Sequence, residues 1–361
     1  MIVGLGTATT LGATPLDIIS QDFSFMGAAI LTTNSRTERS DRSPHVLLIL
    51  TLPEAIRNQY FHGLKQAFPA LSIDLVEHVD DANPYLGAAD VLVTFGPHLQ
   101  DKAADVFARM PNLKWVQALG TGVDNIIDCL QRRDIVVTNM HGLHGPAMSE
   151  AALLAMLALS RQMSRIVINQ TNRRWERFPA RLLDGKTVGI FGLGLIAEAL
   201  APRCKALGMR VVGITSAKRD VAGVDLVYHR DELLHAVRDL DYFVLLTPYS
   251  AATRGIIDDA VFNAMKEDSY LINLARGGVV DEAALLKALS GRVIAGAALD
   301  VFLTEPLPKE HPLWSADNVI ITCHIGGLHD DYASQTLPIV RQNLQHFLDG
   351  RPDRMINLVA H

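Results

Sequence analysis

The sequence predicts an α/β protein with two domains, each built around a doubly wound parallel sheet. Short runs of apolar and β-branched residues alternate with helical segments, which is typical of βαβ units. These runs form two series, one starting at His45 and the other at Lys186. The 361 residues, 49% of them hydrophobic and 20% charged, are enough for two hydrophobic cores.

Each predicted strand is a short apolar run whose length suits a buried strand. The first series contains HVLLIL, SIDLVEH, ADVLVTFG, LKWVQAL and DIVVTNM; the second contains TVGIFGLG, RVVGIT, DYFVLLT, SYLINLA, VIAGAALDV and NVIITCH. The last stretch, DDYASQTLPIVRQNLQHFLDG, predicts a helix closed by Gly350, which could pack on either domain.

Composition argues against several classes of protein. The net charge of −6 and the pI near 6.1 disfavour a nucleic-acid surface and a basic membrane patch. No apolar run reaches the roughly 18 residues of a membrane span, and Ala151–Leu159 is typical of a buried or subunit-interface helix. Residues 1–43 contain a G-x-G without a following strand–turn–helix pattern, and we expect a loosely attached extension there.

The cysteines and histidines do not predict a metal site. Cys129, Cys204 and Cys323 show neither CxxC nor metal-ligand spacing, which favours reduced thiols in a cytoplasmic protein. His141 and His144 are close in sequence, but no acidic or cysteine partner lies at ligand spacing.

A glycine turn in the second series predicts a dinucleotide site. TVGIFGLGLIAEAL places Gly192, Gly194 and Ala197 in a G-x-G-x-x-A pattern between a predicted strand and a predicted helix. Gly192 would make the tight turn, and Gly194 would let the backbone approach a pyrophosphate at the helix N-terminus. Ala197 still permits close packing of the helix on the strand.

The end of the next strand bears on which dinucleotide binds. An NAD site usually has an acid there for the ribose 2′-hydroxyl, whereas this chain has Thr215 and Ser216, followed by Lys218 and Arg219. These residues favour NADP, whose 2′-phosphate they could bind, over NAD. A solvated loop with both cations in water remains the alternative.

Three residues form a candidate catalytic group. Arg276 follows an apolar strand, where α/β sheets bind ligands and where its guanidinium could grip a carboxylate. His324 ends another strand, and Glu305 is the last residue of the run GAALDVFLTE. If those strands are neighbours, the carboxylate would favour a protonated imidazole able to donate to a carbonyl oxygen.

Six blocks in this order make the chain resemble the D-isomer-specific 2-hydroxyacid dehydrogenases, and within them the glyoxylate/hydroxypyruvate reductases. The blocks are GTGVDNI, GIFGLGLIAEAL, LLTPYSAATRGII, NLARGGVVDEAAL, ALDVFLTEPLP and PLWSADNVIITCHIGG. The similarity runs from about residue 45 to the end. Two departures are Cys323, where proline is usual, and the missing acid after VVGI.

The resemblance implies a role for each matching residue. Arg276, Glu305 and His324 would be catalytic, and Asp300 would orient the nicotinamide carboxamide. Backbone N–H groups of Thr121 and Gly122 would hold the substrate carboxylate. Phe95, in a loop that faces the substrate, could line the pocket or simply pack in the core. Further cofactor contacts would come from Leu195, Ile196, Thr247, Pro248, Ala275 and Gly326, besides Arg276 and His324.

The resemblance also implies an architecture and a partner. A Rossmann cofactor domain of residues 147–326 would be inserted in a flavodoxin-like substrate domain, formed by residues 44–146 and 327–361. Members of the family usually form homodimers through their cofactor domains, and the apolar helix near Ala151 would then lie at the interface.

The resulting hypothesis is hydride transfer between NAD(P)H and a small 2-oxo acid, or the reverse reaction on a D-2-hydroxy acid. The segment TFGPHLQD carries no arginine or lysine, which argues against a phosphorylated substrate. The alternative is a non-catalytic, NAD(H)-sensing interaction protein on the same fold. The Arg276, Glu305 and His324 set favours the enzyme.

Overall fold

The computed structural model describes residues 42–217 and 219–360. The predicted extension, apart from its last two residues, lies outside the described residues, and so does Lys218 of the predicted cofactor site. The strands of the described chain form two sheets in which all paired strands run parallel. The predicted α/β class with two parallel sheets is confirmed.

The first sheet has the strand order β2-β1-β3-β4-β5. Its central strands are buried, because helices cover both faces of a parallel sheet. The order reverses between β1 and β3, and ligands bind at such a point, beyond the carboxyl ends of the strands. The strands are β1 His45–Ile49, β2 Ser72–Val76, β3 Val91–Thr94, β4 Trp115–Ala118 and β5 Val136–Thr138.

The second sheet has seven strands in the order β12-β11-β10-β9-β6-β7-β8, and its switch point lies between β6 and β9. Sequence reasoning missed β8, a partly exposed edge strand without a long apolar run. The strands are β6 Thr187–Phe191, β7 Arg210–Thr215, β8 Leu226–His229, β9 Tyr242–Leu245, β10 Tyr270–Asn273, β11 Gly296–Leu299 and β12 Val319–Ile321.

Helices cover both sheets. The predicted apolar helix starts earlier than expected, at Gly145, with a proline in its first turn. The α-helices are α1 Glu54–Ala67, α2 Ala103–Ala108, α3 Asp124–Ile127, α4 Gly145–Ser160, α5 Met163–Thr171, α6 Leu195–Ala206, α7 Leu233–Ala236, α8 Asp259–Ala264, α9 Glu282–Ser290 and α10 Tyr332–Leu348.

The last helix, α10, packs on the first sheet's domain, which decides between the two placements that the sequence left open. A Cβ atom on Gly63 of α1 would overlap Leu337, so the glycine permits close contact between α1 and α10. Asn343 also donates a 2.9 Å hydrogen bond to Gln117 of β4. As predicted, Gly350 closes the helix in the left-handed conformation, with φ +69°.

The chain crosses between the two sheets twice, once before α4 and again between β12 and α10. Helix α4 packs on α6 and on the second sheet, and Gly145 allows a close approach to Ala199. These crossings agree with one domain inserted in the other, while the boundaries at residues 146 and 327 stay a prediction.

No single helix in the described ranges is long and apolar enough to cross a membrane. Only α4 and α5 taken together reach that length and apolarity, and they meet at a 65° bend.

Candidate active site

A cleft of about 1330 Å³ lies between the carboxyl ends of the two sheets. Both switch points face it, because parallel strands end on the same edge of each sheet. Most of the predicted site residues line this cleft: Phe95, Thr121, Gly122, Gly192, Gly194, Leu195, Ile196, Thr247, Pro248, Ala275, Arg276, Asp300, Glu305 and His324.

His324 and Glu305 form a hydrogen-bonded pair in the cleft. They follow the neighbouring strands β12 and β11, and the His324 Nδ1 to Glu305 Oε2 distance is 2.7 Å. Glu305 is also held by the N–H of Phe302, which donates to Oε1 at 2.9 Å. The carboxylate is partly buried rather than fully buried, with 23% of the side chain exposed. The Nε2 atom of His324 has no hydrogen-bond partner among the described residues and is available to a ligand.

Asp300 holds the loop that presents His324. Its carboxylate, on a residue only 2% exposed, accepts from Thr322 Oγ1 at 2.6 Å and from the N–H groups of Ile325 and Gly326 at 3.0 and 2.9 Å. Its carbonyl accepts from the N–H of His324 at 2.8 Å. These bonds fix His324 at φ +56°, a conformation that few non-glycine residues adopt. The predicted contact of Asp300 with a nicotinamide stays a prediction.

Arg276 reaches across the cleft to the first sheet's domain. Its Nε donates to Asp124 Oδ1 at 3.1 Å, and its Nη1 donates to the carbonyl of Ala275 at 2.8 Å. A Cβ atom on Gly122 would overlap Arg276 Nη2, so this position must be glycine for the guanidinium to lie against the loop.

The loop from Gly120 to Val123 offers unused backbone donors. Within the described residues, the N–H groups of Thr121 and Gly122 donate no hydrogen bond. They lie beside the Arg276 guanidinium, and together these donors make an anion-binding surface. The geometry suits a carboxylate in contact with both domains.

The glycine turn has the shape that a pyrophosphate requires. Gly192 has φ +104°, and a Cβ atom there would lie 2.7 Å from the backbone nitrogen of Thr247. A Cβ atom on Gly194 would meet nothing within 4 Å, so the space before the N-terminus of α6 is open. The free N–H groups of that helix end point toward this space. The residues therefore fit a dinucleotide.

Comparison with known proteins agrees with this geometry. Residues 153–326 match the family model described as "D-isomer specific 2-hydroxyacid dehydrogenase, NAD binding domain". The glyoxylate reductase of Pyrococcus furiosus is 33% identical over 279 residues, which cover 74% of this chain and 82% of that protein. The chain belongs to the D-isomer-specific 2-hydroxyacid dehydrogenase family.

Other members of the family show the range of relatives. A family protein from Aeromonas salmonicida has a solved structure with 31% identity and a TM-score of 0.76, covering 88% of this chain and 99% of its own. A Sinorhizobium meliloti glyoxylate/hydroxypyruvate reductase, solved with NADP and sulfate, has 27% identity and a TM-score of 0.72, covering 88% and 98%. The chain spans about half the length of the D-3-phosphoglycerate dehydrogenase of Methanocaldococcus jannaschii: the match is 32% identical and covers 79% of this chain and 53% of that protein.

A second, smaller cavity of about 320 Å³ lies beside the glycine turn, where the adenosine of a dinucleotide would bind. Thr215 and Ser216 line it, whereas Arg219 does not, and the predicted contacts of all three with a cofactor stay predictions. Instead, Arg219 forms an ion pair with Glu198 of α6. The cation that does line the cavity is Arg230, whose guanidinium has neither an ion pair nor a hydrogen bond within residues 42–217 and 219–360.

Two residues were not predicted from the sequence: Asp124, which lines the cleft, and Arg230, which lines the smaller cavity. Asp124 lies inside the recognised block GTGVDNI, and its acidic type was the available signal. Arg230 follows β8, the strand that was also missed; β8 pairs with β7, so that Thr215 lies opposite His229. Gly326 does not line the cleft but donates to Asp300.

His144, just before α4, has both ring nitrogens engaged within the protein, in hydrogen bonds to Thr121 and Tyr332. Across the part of the chain that the structure describes, no three His, Cys, Asp or Glu side chains are grouped so as to bind a metal.

Proposed function

We propose that this protein transfers a hydride between NAD(P)H and a small 2-oxo acid, and that it works mainly as a reductase of the glyoxylate/hydroxypyruvate type. The observation that carries the proposal is the cleft itself. The His324–Glu305 pair, the Arg276 guanidinium and the free N–H groups of Thr121 and Gly122 all face it, together with the glycine turn. Similarity to the Pyrococcus furiosus glyoxylate reductase supports the choice of substrate.

The residues divide the chemistry between them. Arg276 and the loop N–H groups bind the substrate carboxylate, which places its 2-oxo group near His324. A dinucleotide held at the Gly192–Gly194 turn would supply the hydride for C2. His324 donates the Nε2 proton to the carbonyl oxygen as it becomes an alkoxide, while its Nδ1 proton stays in the hydrogen bond to Glu305. Asp124 fixes the direction of the Arg276 guanidinium.

A panel of 2-oxo acids tests this function. We expect turnover of glyoxylate and hydroxypyruvate, and much weaker turnover of 3-phosphohydroxypyruvate, because Arg254 and Arg276 are the only lysine or arginine side chains that line the described cleft. The measurement is oxidation of NADPH and NADH by absorbance. Cofactor binding without turnover of any acid would favour the non-catalytic, NAD(H)-sensing alternative.

We further propose that NADP(H) is preferred over NAD(H). The sequence has no acid at the end of β7, and Arg230 provides a cation in the smaller cavity that is unpaired among the described residues. The solved Sinorhizobium meliloti relative that holds NADP supports the same choice. Lys218 and Arg219 keep their predicted roles as additional phosphate contacts, although Arg219 would first have to leave Glu198.

Substitutions at this cavity should change the ratio of kcat/KM for NADPH to that for NADH. A charge-assisted hydrogen bond contributes about 1.5–3 kcal/mol, or roughly tenfold or more in affinity. We expect Arg230→Gln to lower the ratio about tenfold, and Thr215→Asp to turn it toward NADH by repelling a phosphate. Arg219→Gln is the matched control, and we expect a smaller change. Equal efficiencies with both cofactors in the unmodified protein would contradict the preference.

We propose a homodimer that covers the exposed apolar side of α4 and α5. Leu154, Val167 and Ile168 are 65%, 52% and 58% exposed, and such a surface is typical of a protein interface. Val167→Asp should therefore give monomers in sedimentation velocity, while Leu234→Asp on α7 should not. A monomeric unmodified protein at micromolar concentration would exclude this dimer.

We also propose a cytoplasmic location and small-molecule partners, without nucleic acid or membrane. The three thiols, Cys129, Cys204 and Cys323, support the location because none forms a disulfide. The net charge of −6 supports the absence of a nucleic-acid partner.

A further inference from the structure

A chain of hydrogen bonds joins the substrate loop to both places where the backbone crosses between the sheets. Thr121 Oγ1 lies 2.9 Å from His144 Nδ1, and His144 Nε2 lies 2.9 Å from the Tyr332 hydroxyl. That hydroxyl in turn donates to the carbonyl of Leu119, directly after β4. His144 belongs to the first crossing, and Tyr332 stands at the end of the second. The series of hydrogen bonds therefore starts at the loop residue Thr121, passes through both crossings and ends at Leu119, beside the loop.

The direction of every proton in this chain can be assigned. The single Tyr332 hydroxyl proton goes to the Leu119 carbonyl, which can only accept. The Tyr332 oxygen must therefore accept from His144 Nε2–H. His144 Nδ1 then carries no proton and accepts at 2.9 Å from the Thr121 hydroxyl, which also lies 3.3 Å from the Met140 carbonyl, a second acceptor. Burial lowers the pKa of His144 to about 4, which favours this neutral form. Burial also raises the pKa of Tyr332 and keeps its hydroxyl protonated.

The hydroxyl proton of Thr121 is used within the protein, by His144 and the Met140 carbonyl, so the side chain has no donor left for a substrate carboxylate. The backbone N–H groups of Thr121 and Gly122 must bind that anion instead. Their orientation depends on how the loop is held.

The loop is held on several sides. The Tyr332 hydroxyl donates to the carbonyl of Leu119. The N–H of Met140 donates to the carbonyl of Gly120 at 3.1 Å, and the side-chain amide of Asn139 donates to the carbonyl of Thr121 at 2.8 Å. Because three successive carbonyls are bound, the peptide planes of the loop are fixed. The N–H groups of Thr121 and Gly122 keep the direction in which they meet Arg276.

Packing around the histidine shows that the two crossings are fitted to each other. A Cβ atom on Gly327 would lie 2.9 Å from His144 Cδ2, so the second crossing passes directly against the imidazole. The rings of His144 and Tyr332 lie 5.6 Å apart, and Phe95 of the cleft packs on Tyr332 at 5.7 Å. Movement at either crossing would therefore reach the substrate loop.

We propose that Tyr332 and His144 are positioning residues that hold the Gly120–Gly122 loop ready for the substrate carboxylate and couple it to the two crossings between the domains. Neither residue is proposed to exchange a proton with substrate. This assignment rests on the proposed function for the identity of the anion, a 2-oxo acid, but the ordering of the loop itself can be measured without turnover.

The test compares Tyr332→Phe with Tyr60→Phe. Both substitutions remove a buried phenol hydroxyl. The hydroxyl of Tyr60, on α1, is hydrogen-bonded to Thr336 of α10, the helix that also carries Tyr332, but it does not contact the loop. With glyoxylate and NADPH, we expect Tyr332→Phe to raise the KM for glyoxylate and the inhibition constant of oxamate about tenfold, as loss of a buried hydrogen bond allows. The KM for NADPH should change less than twofold, and Tyr60→Phe should change neither substrate constant.

Hydrogen exchange gives a second, activity-independent measurement. The N–H of Met140 donates to Gly120 of the loop, and the N–H of Leu119, directly before the loop, donates to Thr94 of β3. Both amides should exchange faster in Tyr332→Phe than in Tyr60→Phe. Should Tyr332→Phe fail to fold, His144→Asn serves in its place. Unchanged exchange at the loop, or equal effects of the two tyrosine variants, would overturn the proposal. Faster exchange in a protein whose unmodified form reduces no 2-oxo acid would support the loop assignment and reject the proposed function.

Discussion

We expect replacement of His324 with asparagine to lower kcat for the proposed glyoxylate reduction by about 10²–10⁴-fold, the usual contribution of a positioned acid. The reason is that Nε2 is the only ring nitrogen free to donate to the substrate, since Nδ1 is bound to Glu305. Asparagine is preferred to alanine because it tolerates the left-handed backbone at φ +56°. The measurement is the steady-state rate of NADPH oxidation at saturating glyoxylate.

A second imidazole–carboxylate pair provides the control for that variant. His311 Nε2 lies 3.1 Å from Glu282 Oε1, and neither residue lines the described cleft. His311→Asn removes a comparable pair and should leave kcat within about twofold. A near-normal kcat in His324→Asn would show that His324 is not the acid.

Arg276→Lys should reduce kcat/KM for the 2-oxo acid about 10²–10³-fold. Lysine keeps the positive charge but loses the planar fork that presents two parallel donors to a carboxylate. It also loses the fixed contact of Nε with Asp124, so the remaining charge is not directed at the loop. Initial rates at low glyoxylate report kcat/KM directly.

Arg254→Lys controls for the general loss of a guanidinium from the cleft. Arg254 lines the same cleft, but its Nε donates to the Tyr249 hydroxyl at 3.0 Å. We expect less than a threefold change in kcat/KM for this variant. If both lysine variants behaved alike, the carboxylate would not be bound by Arg276.

Local sequence patterns were sufficient for most of the fold. Eleven of the twelve described strands were predicted, since each is a short apolar run, and most of these runs are buried between helices. The exception, β8, is a partly exposed edge strand and lacks that pattern. The packing of α10 on α1 depends on complementary surfaces far apart in sequence, such as Gly63 and Leu337, which a local pattern does not contain.

The candidate site was predictable where a residue type follows directly from a strand end. Arg276, Glu305 and His324 met that condition, and the structure brings all three to one cleft. Arg219 was expected to face the cofactor because it follows β7, but the local sequence gave no sign of its pairing with Glu198. Asp124 and the His144–Tyr332 contact depend on residues from opposite sides of the cleft, so spacing alone could not predict them.

Asp300 shows why an acid follows a buried strand in this chain. With four hydrogen bonds, it replaces the ladder bonds that β11 and β12 lack beyond their ends. The carboxylate thus extends the order of the sheet into the loop that carries His324. These bonds to the backbone and to Thr322 were not foreseen. The cofactor contact that the resemblance implies for Asp300, which also lines the cleft, stays a prediction.

The glycine turn, Asp300, Glu305, His324 and Arg276 all follow strands of the second sheet, whereas the Thr121 loop follows a strand of the first. Relative rotation of the two sheets would consequently leave the acid–base pair and the dinucleotide site unchanged with respect to each other. Only the carboxylate site would be divided, because its donors come from both bodies. The chain topology thus places every part of the dinucleotide site on one body, while the donors of the carboxylate site, Arg276 and the Thr121–Gly122 loop, meet only where the two bodies touch.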